Sequence, residues 1–139
     1  MTNTSSCIFC KIIKGQIPSY KIYEDKNYLA FLDISQFTRG HTLVIPKKHV
    51  DFVWDSAEIC QYFSVITKIA NHFRSLGFTY VDSMIFGRDV VHAHVHLIPH
   101  NDNSKDYKSA ISGLGKLQGD LKRRPAPEVM EQTVKDFKI

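Results

Sequence analysis

The sequence predicts an α+β domain: a five-stranded, mostly antiparallel sheet with one long helix and a C-terminal helix. Three observations carry that prediction. Five short runs rich in β-branched and aromatic residues are bounded by turn residues. The first and second runs, and the fourth and fifth, are joined by short connections, which implies antiparallel pairing. Between the third and fourth runs, apolar residues recur every three or four positions, the period of a helix.

The elements follow in order. Residues 7–13 make a short apolar turn of helix ending at Gly15. Residues 20–24 alternate as a strand, Asp25-Lys26-Asn27 supplies a tight turn, and residues 28–34 form the second strand of a hairpin. Thr38-Arg39-Gly40 breaks the chain, and residues 41–46 (HTLVIP) form a third strand that Pro46 stops. Asp55 and Glu58 resemble a capping box. Ile59, Phe63, Ile66, Ala70 and Phe73 then trace one apolar helix face, and Gly77 ends the helix as its C′ residue. Cys60 reads as a small core residue on that helix, and His72 as solvent-facing. Residues 80–86 and 90–98 are the fourth and fifth strands, the last ended by Pro99. Residues 101–124 read as an ordered but irregular excursion. A final helix begins after Pro125 or Pro127, with Val129, Val134 and Phe137 facing inward. There is no repeat, low-complexity tract or linker, so residues 1–139 read as one domain.

Composition narrows the function classes. The 43% hydrophobic and 23% charged fractions are those of a globular chain and argue against disorder. The net charge of +4 suits an anionic partner, but nucleic-acid binding calls for basic residues gathered on one element. The densest basic run, Lys122-Arg123-Arg124, reads as a solvated tail, with help in holding a phosphate as the alternative, and no nucleic-acid partner is expected. No stretch approaches the roughly 18 apolar residues of a membrane span. Residues 1–15 lack the apolar core of a signal peptide. A cytoplasmic protein with no membrane partner is expected, its three cysteines being thiols or metal ligands.

The most informative segment is Val91-His92-Ala93-His94-Val95-His96-Leu97-Ile98-Pro99. On a strand the three histidines share one face, and Ala93, Val95 and Leu97 share the other. Neighbouring histidines would stand about 6.6 Å apart at Cα and the outer pair about 13 Å. Two could converge on one atom and three could not, so their roles divide. A chance solvated face and a metal site of paired strand histidines are the plainer readings. The chemical reading is a phosphate site. A neutral imidazole can attack phosphorus and form a covalent intermediate. Its other nitrogen is held by an acceptor that fixes the tautomer, and a second histidine serves the leaving group.

Cys7-Ile8-Phe9-Cys10 is half of a zinc site. His49 and His100 are candidate partners for it, and two buried thiols without a metal are the alternative.

Together, the run His-x-His-x-His-x-x-Pro and the stretches CIFCKIIKGQIPS, YEDKNYLAFLDIS and GHTLVIPKKH resemble the histidine triad (HIT) family, in its Hint-like bacterial branch. The resemblance runs from Cys7 to about Pro99 and is weak after residue 100. It implies a homodimer whose sheets join into one and which binds a purine nucleotide, AMP-like, at each triad. It implies that His94 is the nucleophile, that His96 contacts the phosphate and leaving group, and that His41 supports them from the third strand. Asp33 and Ile34 match positions lining the ribose and base pocket. The implied reaction is hydrolysis or transfer of a nucleoside monophosphate from phosphoramidates or dinucleoside polyphosphates. The resemblance also implies a structural zinc on Cys7, Cys10, His49 and His92.

Gly87-Arg88-Asp89 departs from the family's Gly-Gln-Ser, and the loop before it is short. Arg88 offers a planar fork of donors to a phosphate, with Asp89 beside it, although a surface turn charge explains Arg88 equally well. The departure motivates a second reading, a nucleotide-binding regulatory module with little or no turnover. A third is a metallohydrolase with zinc on His94 and His96.

Overall fold

The second and third strands, YLAFL and TLVIP, carry almost no polar alternation because the sheet is covered on both faces. In the computed structural model, which describes residues 4–87, 89–119, 122 and 125–139, the chain divides into two units, Met1–Ser104 and Lys105–Ile139. The first unit contains helix α1 (Ile8–Ile13), strands β1 (Lys21–Glu24), β2 (Tyr28–Leu32) and β3 (Thr42–Pro46), helix α2 (Ile59–Ser75), and strands β4 (Tyr80–Met84) and β5 (Val95–His100). The five strands form one sheet in the order β1-β2-β3-β5-β4, each neighbouring pair antiparallel.

The pleat sorts side chains between two layers. Tyr28 and Ala30 of β2, Val44 of β3, and Val95 and Leu97 of β5 pack with Tyr62, Val65, Ile66, Ile69 and Phe73 of α2. On the other face Leu29, Phe31, Leu43 and Ile45 pack with Phe9 and Ile12 of α1. His96 lies opposite Leu43 in the β3–β5 register, and it too belongs to the α1 face. The thick core lies under α2, and the face under the short helix α1 keeps room for a cleft.

Several expectations change. The buried face of α2 is Tyr62, Val65, Ile66, Ile69 and Phe73. Phe63 of the expected face is 37% exposed. The reason is Tyr62, whose hydroxyl donates to the Val44 carbonyl and whose ring stacks on Tyr28, so an amphipathic residue takes a core position. Asp55 ends a single 3-10 turn, Val53–Asp55, and Glu58 is the N-cap without a side-chain cap bond, so the capping box does not form. Cys60 is exposed, not in the core. His72 is exposed, as expected. Gly77, at φ +97°, takes the left-handed conformation that closes α2.

The fifth strand begins at Val95, not at residue 90. The His92 N–H turns back to the Val90 carbonyl at 2.9 Å, and the Ala93 N–H goes to Val50 at 2.7 Å, so this stretch leaves the ladder. Even so, Ala93 keeps its place in the core with Val95 and Leu97.

The second unit holds α3 (Lys105–Gly119) and α4 (Pro127–Phe137). The stretch expected to be irregular is therefore helical over most of its length. The final helix begins at Pro127 as expected, but Val129, Val134 and Phe137 are exposed, not inward. No helix among the described residues is long and apolar enough to cross a membrane.

Candidate active site and metal centre

Between α1 and the β2–β3–β5 face lies a cleft of about 460 Å³, within the usual size for a small-molecule site. Phe9, Ile12, Ile17, Phe31 and Leu43 make its apolar wall, Ile34 and Phe37 border it, and His94, His96 and Asp33 supply its polar groups.

His94 is 7% exposed, and its Nδ1 lies 2.7 Å from the His92 carbonyl oxygen. A carbonyl only accepts, so Nδ1 carries the proton and Nε2 keeps its lone pair. The edge of the Phe9 ring packs against the His94 imidazole, centroids 5.3 Å apart. His96 stands beside His94 at a ring distance of 5.2 Å.

Behind His96, its Nδ1 is 2.9 Å from His41 Nε2. The Phe37 N–H, fixed by the backbone, points at His41 Nδ1 from 3.3 Å. That makes Nδ1 an acceptor, so His41 donates from Nε2 to His96, and His96 retains an N–H at Nε2. The Ser35 carbonyl, 3.2 Å from the same Nδ1, is the partner of a protonated His41 ring. Asp33 Oδ2 lies 3.8 Å from both His41 Nε2 and His96 Nδ1. Its Oδ1 accepts from the Ser35 N–H at 2.8 Å. Burial pushes the His96 imidazolium down to about 4, with repulsion from His94 and His41 adding to it and Asp33 opposing. Burial lowers His41 too, against the pull of Asp33. Both rings are therefore neutral at neutral pH.

His92 turns the other way. Its ring meets Cys7 Sγ at 3.4 Å and Cys10 Sγ at 3.6 Å through Nδ1. Cys10 Sγ is 3.2 Å from His49 Nδ1. The four ligand atoms all lie within 4.8 Å of one another, the spacing of a tetrahedral zinc set of two thiolates and two imidazoles. The outer nitrogen of His92 is fixed as such sites require, its Nε2–H donating to the Pro46 carbonyl at 2.9 Å. His49 Nε2 lies 3.3 Å from Asp51 Oδ1 but makes no hydrogen bond among the described residues. Burial, then the neighbouring Cys7, raises the Cys10 thiol to about 11. The fit of the donor set is that of a closed zinc centre, one that would hold α1 against the sheet.

The sequence-derived residues thus fall into two groups. His94, His96, His41 and Asp33 come together at the cleft, with Ile34 exposed on its border and Asp89 on its rim. Cys7, Cys10, His49 and His92 converge beneath α1. His100, the competing ligand, instead lies 3.4 Å from Asp82 and stacks on Tyr80. Arg88, Arg123 and Arg124 lie outside the described residues. Sequence reasoning missed Phe9, Ile17, Phe31 and Phe86 as cleft residues, and Pro46 and Asp51 as outer partners of the metal ligands. The position of Phe9 between the two cysteines was the only local signal for any of them.

A family model described as the HIT domain matches residues 14–103. The protein hit of Bacillus subtilis is 48% identical over 102 residues, covering 68% of this chain and 70% of the relative. Adenosine 5′-monophosphoramidase HNT1 of Saccharomyces cerevisiae is 33% identical over 135 residues, covering 86% and 83%. Among solved structures, a zinc-bound histidine triad family protein from Mycobacterium smegmatis superposes with a TM-score of 0.66 at 32% identity, covering 84% of this chain and 98% of that one. On the sheet order, the histidine run and these matches together, the chain belongs to the histidine triad (HIT) family.

Proposed function

We propose that this protein is a nucleotide hydrolase or transferase that cleaves a nucleoside monophosphate, AMP-like, from a phosphoramidate or dinucleoside polyphosphate through a covalent His94 intermediate. The observation that carries the proposal is the bond from His94 Nδ1–H to the His92 carbonyl, which leaves Nε2 unprotonated in the cleft. A yeast relative that is an adenosine 5′-monophosphoramidase supports a P–N bond as the one cleaved.

In this reading the apolar wall takes the purine, and the Asp33 carboxylate accepts from the ribose hydroxyls. Nε2 of His94 attacks phosphorus, a P–N bond to His94 forms, and the bond to the leaving group breaks. A leaving amine nitrogen, protonated from solvent, departs as the neutral amine. The Nε2–H of His96, aligned by His41, hydrogen-bonds to the departing atom. Water then attacks phosphorus, gives its proton to solvent, and frees the monophosphate and neutral His94. Arg88 and Asp89 are assigned to the phosphate side of the site on sequence grounds. Cys7, Cys10, His49 and His92 would hold a zinc, whose chemistry there is structural.

The sheet order leaves β1 and β4 as edges, and a homodimer joined through one edge would continue the sheet. A reducing compartment such as the cytoplasm suits the free thiols of Cys7 and Cys10.

The test is incubation with an adenosine 5′-phosphoramidate. The wild type should release AMP and His94→Ala should not. Equal turnover by the variant refutes the proposal. Tight AMP binding with no release by the wild type would instead favour the regulatory module suggested by Arg88.

A further inference from the structure

Two of the three histidines are joined by more than sequence. The ring of His92 belongs to the cysteine cluster, and its carbonyl is the acceptor that fixes the tautomer of His94. The same peptide unit donates its Ala93 N–H to the Val50 carbonyl at 2.7 Å, and the His92 ring donates its Nε2–H to the Pro46 carbonyl at 2.9 Å. On the opposite side Phe9 lies between Cys7 and Cys10. Its ring packs edge-on against both His92 and His94, at 5.8 and 5.3 Å. The cluster therefore grips both supports of His94: the carbonyl at its Nδ1 and the aromatic ring on its flank.

We propose that the Cys7–Cys10–His49–His92 cluster, with its metal in place, positions the nucleophile, so that its occupancy sets the rate of attack by His94 and not the affinity for nucleotide. The inference rests on the proposed role of His94 and extends the cluster beyond pinning the N-terminal helix. The physical reason is tautomeric. If the His92 peptide rotates, its carbonyl no longer takes the Nδ1 proton, and His94 is free to carry its proton on Nε2. That removes the lone pair from the cleft while Asp33 and the wall residues carried by the sheet, Phe31 and Leu43, stay in place to bind the nucleoside. His92, Cys7 and Cys10 are positioning residues in this scheme; they touch no substrate.

The test compares the zinc-loaded full chain with the same protein stripped by a chelator under reducing conditions, metal content being counted in each. Imidazole ¹⁵N NMR should show His94 as the Nδ1–H tautomer when loaded and as a mixture when stripped. On adenosine 5′-phosphoramidate, kcat should fall about ten- to a hundredfold with KM little changed, and zinc should restore it. His49→Ala, which removes a ligand that lines no part of the cleft, provides a second test should the stripped protein unfold. It should lose its zinc, show the mixed His94 tautomer, lose kcat severalfold and retain its KM. An unchanged His94 tautomer after proven metal loss overturns the inference, as does failure of the protein to take up zinc, full kcat in zinc-free His49→Ala, or a loss confined to KM. Because the NMR arm needs no turnover, it decides the inference even if the wild type cleaves nothing.

Discussion

Replacing His96 with glutamine should flatten the acid side of the stability profile. In the native state burial holds the His96 imidazolium down to about 4, against an ordinary value of 6.5. Between those two pH values the unfolded chain binds a proton that the folded chain refuses. The penalty is absent above pH 6.5, grows as the pH falls, and is complete below about 4. A shift of two to three units at about 1.4 kcal/mol each amounts to about 3 kcal/mol. The His96 side chain is only 12% exposed, so solvent screening removes little of this.

The measurement is urea unfolding of wild type and His96→Gln at a series of pH values from 7.5 to 4. Carboxylates and the metal cluster are present in both proteins and largely cancel in the difference, whereas His41 and His94, which touch His96, cancel only in part. The difference in unfolding free energy should change by about 3 kcal/mol across the window, the wild type falling more steeply. Parallel curves, agreeing within about 0.5 kcal/mol, would refute the view that the His41–His96 pair is held neutral by burial.

Two other substitutions probe the two groups of residues separately. Asp33→Asn removes the carboxylate that lies 3.8 Å from both His41 and His96. It should weaken AMP binding by about tenfold, the worth of a hydrogen bond to a charged group, as read by calorimetry. Cys60→Ser changes an exposed thiol that is not part of the four-ligand cluster. Zinc content should stay the same and stability should move by less than about 0.5 kcal/mol; loss of metal would show that Cys60 is a ligand after all.

What the sequence makes legible is what depends on neighbours along the chain. The five strands and α2 follow from local patterning and turn residues, and Gly77 stops α2 because only glycine adopts its backbone cheaply. The rotation of the α2 face is invisible at that level. It depends on Tyr62 finding the Val44 carbonyl and the Tyr28 ring across the core. The start of β5 is hidden for the same reason, since Val50 and the metal ligands draw residues 92–93 off the ladder. The helix over Lys105–Gly119 was missed because its glycines and serines are poor helix formers and its apolar residues are sparse.

The histidines show a subtler limit. Strand alternation predicts that their roles divide, yet His92 and His94 both precede the strand. The division survives because it needs less than a strand. It needs side chains two residues apart to diverge from a carbonyl held between them, and the cysteine cluster on the His92 ring, together with the bonds to Pro46 and Val50, supplies that without any ladder. The net charge of +4 was a poorer guide. Among the described residues lining the cleft, the carboxylates are Asp33 and Asp89, and no lysine or arginine joins them. With His41 and His96 neutral, the oriented donor that the described residues offer a phosphate here is the Nε2–H of His96, Arg88 lying outside them. Such a donor rewards the charge that develops as the leaving bond breaks more than the charge already on the bound substrate, and that difference is what accelerates a reaction.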